Sequence, residues 1–168
     1  MISCILSVIY DLINVVGVRM KILIADDSAI SLKLLKTVLQ DMGHTVSARP
    51  DGEAALRSLT EDGSPDVAII DWDMPKMSGI DVLKEIKKTS PHKHIIMLTA
   101  KERKEDLEQA IAADADDYLR KPLSREDLLI KLRLAERIMD LRAQIPKNNQ
   151  AHEPVVDDSQ ASLSPADL

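Results

Sequence analysis

Apolar and polar positions along the chain follow two alternating patterns. Short runs rich in apolar residues predict buried strands, at Ile22–Ala25, Thr45–Ala48, Val67–Asp71, His94–Thr99 and Asp117–Arg120. Between these runs, apolar residues recur at helical spacing, which predicts amphipathic helices that begin near Ser28, Asp51, Ser78, Arg103 and Ser124. The last helix is expected to reach about Gln144. Five strands alternating with helices predict an α/β fold, a single doubly wound parallel sheet with helices on both faces.

The first predicted helix has the clearest apolar face. Ser28 is a suitable N-cap and Gly43 a suitable C-terminal stop. Between them, one face carries the apolar side chains of Ile30, Leu34, Leu35, Val38, Leu39 and Met42. This face predicts the side of the helix that packs on the sheet.

Acidic residues stand where two predicted strands end. Asp26 and Asp27 follow the first strand, and Asp71 ends the third, before Pro75 and Gly79 stop the strand and turn the chain. In an open α/β sheet, the carboxyl ends of neighbouring strands form the crevice where ligands bind. If the first and third strands are neighbours, three carboxylates converge there.

Three converging carboxylates repel one another, and a divalent cation resolves the repulsion. Oxygen ligands in small number favour Mg²⁺, which bridges to substrate phosphate. Thr99 ends the fourth strand with a hydroxyl group, and Lys121 follows the fifth strand with a positive charge. A metal, a hydroxyl and an ammonium around one aspartate indicate phosphoryl transfer, with Asp71 as the attacking group.

Each of these residues also has a simple structural interpretation. A strand-end aspartate can cap a turn, Asp26 and Asp27 can favour a helix N-terminus, Thr99 can be a turn residue, and Lys121 can lie on the surface. We favour a shared site because the residues stand together at the carboxyl ends of four strands.

Composition narrows the possible functions. The formal net charge of −6 argues against nucleic-acid binding. The single cysteine, Cys4, excludes an internal disulfide and fits a reducing, cytoplasmic location. The four histidines are scattered and suggest no metal site. Asp116 and Asp117, at the amino end of the fifth strand, are interpreted as solvated turn charges.

From Met20 to about Arg142, the chain resembles the receiver domain of two-component response regulators. The resemblance rests on four segments in the same order and spacing as in that family: ILIADDS (Ile22–Ser28), VAIIDWDMPKMSG (Val67–Gly79), IIMLTA (Ile95–Ala100) and DDYLRKPL (Asp116–Leu123). It implies a flavodoxin-like sheet of order 2-1-3-4-5 and a phosphorelay function in which Asp71 is the phosphoacceptor.

The resemblance also implies a ligand set for Mg²⁺. Asp27 and Asp71 would bind the ion through their carboxylates, and Asp73 through its backbone carbonyl. Asp26 would act through water. Asp73 and Lys101 stand where the family tunes the lifetime of the phosphate, and we expect a contact between them to shield the phosphoaspartate from water.

Four further residues are implied to bind the phosphoryl group or to switch. Thr99 and Ala100 would contact the phosphoryl oxygens and Lys121 would pair with them, while Tyr118 is similar to the family's switch aromatic. The peptide bond from Lys121 to Pro122 is expected to be cis. At Asp114 the family usually has glycine, so we expect a left-handed backbone there.

The implied partners are proteins. A sensor histidine kinase or a histidine phosphotransfer protein would donate the phosphoryl group. A downstream effector would read the face formed by the fourth predicted helix, from about Arg103, the fifth strand and the last helix. A homodimer could form through that face or through the extended last helix, whose apolar residues Leu134, Ile138, Leu141 and Ile145 suit a short coiled-coil seam. Neither nucleic-acid nor membrane binding is expected.

An enzyme is the alternative function. Asp71-Trp72-Asp73 also fits the DxD signature of haloacid-dehalogenase-like phosphatases, in which the first aspartate is the nucleophile and the second an acid. Those enzymes usually carry Thr or Val where this chain has Pro75. We therefore expect a signalling domain without substrate turnover, acting alone or as the receiver part of a longer protein.

The two ends of the chain are expected to lie outside the receiver domain, residues 20–142. Residues 1–19 form an apolar leader, interpreted as an extension upstream of a start at Met20 or, alternatively, as a weak membrane anchor. Residues 143–168 are proline-containing and polar, which is typical of a disordered tail.

Overall fold

The computed structural model describes residues 19–100 and 113–144. The predicted helix at residues 103–113, the leader and most of the tail fall largely or wholly outside these ranges. The described elements, in chain order, are β1 (Lys21–Ala25), α1 (Ala29–Asp41), β2 (Thr45–Arg49), α2 (Gly52–Thr60), β3 (Val67–Asp71), α3 (Gly79–Thr89), β4 (His94–Thr99), β5 (Asp117–Arg120) and α4 (Arg125–Gln144). Among the described residues, no helix is both long and apolar enough to cross a bilayer.

The five strands form one parallel sheet in the order β2-β1-β3-β4-β5. This confirms the predicted fold class and strand order. The chain winds outward in one direction from β1 to β2 and in the other from β3 to β5, so the switch point lies between β1 and β3. Ala25 pairs with Ile70 across it, which brings the residues after β1 beside the end of β3.

Helices cover both faces of the sheet, each with its own apolar core. The helices α2 and α3 pack on one face and α1 and α4 on the other. All five residues of β3 are buried, as expected for a central parallel strand. Gly79 begins α3 directly against β3, and a Cβ at this position would overlap the backbone carbonyl oxygen of Asp71. The close approach fixes where the chain turns after Asp71.

Two local backbone predictions are confirmed. The Lys121–Pro122 bond is cis, and Asp114 has a left-handed backbone with φ of 64°.

The predicted apolar face of α1 is covered by the sheet only in part. Leu35 and Leu39 are buried, but Ile30 is 74% and Leu34 is 64% exposed. The apolar stripe is wider than the area that the sheet covers, and its outer side faces solvent beside α4. The sequence pattern shows which residues share a face but not how much of that face is covered.

The interpretation of Asp116 and Asp117 as solvated charges is also wrong. The side chain of Asp116 is only 11% exposed, and it pairs with Lys87 at 2.6 Å and with Arg142 at 3.3 Å. Asp117 pairs with Lys131 at 2.6 Å. The partners of Asp116 come from α3 and α4, 29 and 26 residues away in the chain, so no local sequence pattern shows these contacts.

His94 lies beside this ion-pair cluster and is fully buried. Neither of its ring nitrogens has a hydrogen-bond partner among the described residues. Its Nδ1 is 3.8 Å from a carboxylate oxygen of Asp116, too far for a hydrogen bond. Burial lowers the pKa of His94, and the opposing attraction of Asp116 does not cancel this effect.

This environment predicts an acid-sensitive stability. Because the pKa of His94 is lowered in the folded state, the unfolded chain takes up the proton first as pH falls below 6.5. The contribution of His94 to stability is therefore complete above that pH and is lost below it, by up to about 1.4 kcal/mol per pH unit. Replacement by leucine, which is apolar and of similar size, should remove this slope.

The measurement is the free energy of unfolding in urea between pH 7.5 and 5.5 for wild type, His94→Leu and the exposed-site control His92→Gln. A smaller slope should remain in His94→Leu, since burial also lowers the pKa of His44. Equal slopes in wild type and His94→Leu would show that His94 does not titrate in this way.

Candidate functional site

The predicted acidic residues meet at the carboxyl edge of the sheet. Each of Asp26, Asp27 and Asp71 offers a carboxylate oxygen, and the three oxygens lie within 4.8 Å of one another. Asp26 and Asp71 are buried, whereas Asp27 is exposed. The convergence expected from the strand ends is confirmed.

Lys121 provides a positive charge to this group. Its Nζ lies 2.8 Å from Oδ2 of Asp26 and 2.8 Å from Oδ1 of Asp71. Its backbone amide donates to the carbonyl oxygen of Thr99 at 2.9 Å, which continues the pairing of β4 with β5 past the last residue of β5. The sheet therefore positions Lys121 across the crevice from β1.

The electrostatics of the site are unbalanced. Burial raises the pKa of Asp71, and the nearby charge of Asp26 adds to this effect, so that the contact with Lys121 does not fully offset it. Burial disfavours the ammonium of Lys121, but its hydrogen bonds to Asp26 and Asp71 outweigh this and raise the pKa of Lys121. The single ammonium of Lys121 thus contacts two buried carboxylates, and the carboxylate of Asp27 lies beside them.

The donor set fits a small divalent cation. All three side chains offer oxygen only, which suits Mg²⁺. Both oxygens of Asp26 already accept hydrogen bonds, Oδ1 from the amide of Ser28 at 2.8 Å and Oδ2 from Lys121. Asp27, whose side chain is exposed, is therefore better able to bind an ion directly than Asp26.

The other predicted residues are placed less closely. Thr99 is half-buried at the end of β4, on the same edge as Asp71, and Ala100 follows it in an exposed position. Asp73 is also exposed, in the loop after β3. Lys101 lies outside the described residues, so its expected contact with Asp73 stays a prediction.

Tyr118 is 40% exposed, and the ammonium of Lys131 lies 5.6 Å from the centre of its ring.

The loop after β3 makes a contact that the sequence analysis missed. Nζ of Lys76 lies 2.6 Å from Oδ2 of Asp51, at the start of α2. The two residues are 25 positions apart, and only the packing of α2 beside the loop brings them together. Sequence spacing therefore carries no signal for this ion pair.

An apolar groove opens onto the site between α1 and α4. Its volume is about 540 Å³, and its lining includes Leu34, Val38, Pro122 and Leu128. Asp26 and Lys121 lie at the end of the groove that meets the acidic residues, and the exposed side chain of Leu34 belongs to its wall.

Known proteins share both the sequence and the fold. Residues 22–133, more than half of the 168, match the family model described as response regulator receiver domain. The chain is 39% identical over 113 residues to the two-component response regulator PhoP of Pseudomonas aeruginosa. The match covers 67% of this chain and 50% of that protein. It is 32% identical over 122 residues to the chemotaxis protein CheY of the same species, covering 71% of this chain and 98% of that protein.

Solved structures give the same result. A receiver domain from Clostridium thermocellum is 40% identical, with a TM-score of 0.66, and the match covers 73% of this chain and 98% of that one. A Francisella response regulator receiver domain is 32% identical, also with a TM-score of 0.66, covering 71% and 98%. The chain spans about half the length of PhoP. On sequence and fold together, this chain belongs to the response regulator receiver domain family.

Proposed function

We propose that Asp71 accepts a phosphoryl group and that Mg²⁺ assists at the same site. The observation that carries this proposal is the position of Lys121, which bridges Asp26 and Asp71 while Asp27 lies within reach of both. Asp27 and Asp71 would hold the ion, together with the backbone carbonyl of Asp73. A bound Mg²⁺ would neutralise negative charge on the phosphoryl oxygens.

The residues of the site then have distinct tasks. A carboxylate oxygen of Asp71 attacks phosphorus and forms the new P–O bond, while the bond from phosphorus to the donor breaks and its electron pair leaves with the donor. Lys121 is already hydrogen-bonded to Asp71 and can turn its ammonium to the incoming phosphoryl oxygens. The hydroxyl of Thr99 and the backbone amide of Ala100 would donate to the same oxygens.

The phosphoryl group would then act as a switch. A new dianion at Asp71 attracts the hydroxyl of Thr99, which shifts the population of conformations available to β4 and β5. Tyr118 lies on β5 and pairs with Met97 of β4, two residues before Thr99. It is therefore close enough to respond to a movement of Thr99. The face read by an effector would include β5, α4 and residues 103–113.

The apolar groove is the proposed docking site for the phosphoryl donor. A histidine kinase or phosphotransfer protein must bring its histidine to Asp71, and the groove ends at Asp26 and Lys121, which flank that residue. Leu34 is 64% exposed and offers apolar surface to a partner. Docking there explains why the outer side of α1 is apolar.

The phosphatase alternative finds no support in the comparisons, since the matching family is a family of signalling domains. The absence of substrate turnover, a cytoplasmic location and homodimer formation remain parts of our proposal. So does the division of the chain into a leader (1–19), a receiver (20–142) and a tail (143–168).

Phosphorylation by acetyl phosphate tests the proposed function. With Mg²⁺ present, intact-mass spectrometry should show one added phosphoryl group per chain, labile to hydroxylamine as an acyl phosphate is. The variant Asp71→Asn should lose the added mass. The matched control is Asp66→Asn, which changes an exposed aspartate just before β3 and should be labelled like wild type. Labelling that survives in Asp71→Asn would disprove the site.

A second prediction concerns the groove. The variant Leu34→Glu places a charge in its apolar wall and should slow phosphoryl transfer from the histidine kinase that proves to be the fastest donor, by about tenfold or more, equal to about 1.4 kcal/mol. Labelling by acetyl phosphate should be unchanged, since a small donor needs no docking surface.

The control for this experiment is Ile130→Glu, which alters an apolar residue of α4 that is similarly exposed, at 62%, and does not line the groove. If the kinase phosphorylates Leu34→Glu and wild type at the same rate, the donor docks elsewhere.

A further inference from the structure

Lys76 has an unusual backbone in the loop between β3 and α3. Its φ is 67°, and among the described residues only Asp114 shares a positive φ without being glycine. The amide of Met77 donates to the carbonyl oxygen of Pro75 at 2.8 Å, which closes a three-residue turn around Lys76. A positive φ in such a turn is the rarer and more strained form. Glycine would adopt this backbone more readily, so the presence of lysine requires a reason.

The side chain of Lys76 supplies that reason. Its ammonium lies 2.6 Å from Oδ2 of Asp51, a residue that is 7% exposed. The other oxygen of Asp51 accepts from the amide of Ala54 at 2.8 Å and caps α2. Asp51 is therefore fixed by α2, and its free oxygen is available to hold Lys76.

A second contact joins the loop to α2. Gly52, the first residue of α2, lies so close to Met77 that a Cβ would overlap the carbonyl oxygen of Met77. The ion pair joins Asp51 and Lys76, the residues that directly precede Gly52 and Met77 in the chain. The loop is thus held against α2 by one close backbone approach and one charged hydrogen bond.

We propose that the Lys76–Asp51 ion pair positions the loop that carries Asp73 for Mg²⁺ binding. The inference rests on the proposed function, because it assigns the backbone carbonyl of Asp73 to the ion. Asp73 lies three residues before Lys76 and two after Asp71, so a change in the strained turn moves the carbonyl relative to the carboxylates. Lys76 is a positioning residue, since it acts through the loop and not by contact with the ion.

The direction in which the Mg²⁺ affinity changes when Lys76 is replaced distinguishes a positioning role from a direct effect of its charge. Loss of a positive charge near a cation site should, by Coulomb attraction alone, strengthen Mg²⁺ binding. Loss of a positioning contact should weaken it. Because the side chain of Lys76 is 54% exposed, the ion pair adds little to global stability, and its removal should leave the unfolding transition nearly unchanged.

The experiment measures the Mg²⁺ dissociation constant of the full chain. Trp72 is the only tryptophan and directly follows Asp71, so its fluorescence is a suitable signal, with calorimetry for any variant that shows no change. We expect Lys76→Met to weaken Mg²⁺ binding about tenfold, as is typical when a contact behind a metal ligand is removed. Lys76→Arg should bind as wild type does.

Further variants separate the effect of the Lys76–Asp51 ion pair from other effects of the substitutions. Asp51→Asn keeps a good N-cap but loses the charge, and it should weaken binding as Lys76→Met does, with no additional loss in the double variant. Lys76→Gly relaxes the strained φ and removes the side chain, so it should fold well and still bind Mg²⁺ weakly. The matched control Lys88→Met removes an exposed ion pair of similar length, with Glu85, and should change nothing.

Each result decides between explanations. If wild type binds Mg²⁺ and Lys76→Met binds it as tightly or more tightly, the positioning role is wrong while the proposed function stands. If wild type itself binds no Mg²⁺ by either method, both the proposed function and the positioning role fail. A weakening in Lys88→Met equal to that in Lys76→Met would also overturn the inference.

Discussion

The site depends on one ammonium group placed between two buried carboxylates. Lys121 contacts Asp26 and Asp71 at the same distance, 2.8 Å, and reaches them because β5 ends next to β4 on the carboxyl edge of the sheet. Removal of one partner from such a group leaves an uncompensated buried charge. With Asp27 added, negative charge exceeds positive charge within a few ångströms, and this imbalance favours a cation in the crevice.

The opposite edge of the sheet is built differently. There, the largely covered side chain of Asp116 is matched by Lys87 and Arg142, so its charge is more than balanced without a ligand. Arg142 also donates to the carbonyl oxygen of His92 at 2.6 Å, which holds the end of α4 against the start of β4. One edge is thus closed by ion pairs, while the other keeps an excess of negative charge.

The sequence predicted the strands and the acidic site because both depend on short-range patterns. The strand Val67–Asp71 ends in Asp71 whichever helices pack on it. A parallel sheet then brings the carboxyl ends of neighbouring strands together. Three features were not predictable in this way: the exposure of Leu34, the ion pairs of Asp116 and the pairing of Lys76 with Asp51. Each depends on which elements become neighbours, and the residues concerned come from segments far apart in the chain.

The most direct test of the account is the effect of Mg²⁺ on stability at constant ionic strength. The free energy of unfolding of wild type in urea should rise with Mg²⁺ concentration, by about 2.7 kcal/mol at one hundred times the dissociation constant. Asp27→Asn, which changes an exposed residue and removes one proposed ligand, should reduce or abolish this rise. A wild type whose stability does not respond to Mg²⁺, or an equal response in Asp27→Asn, would contradict a cation site formed by these carboxylates.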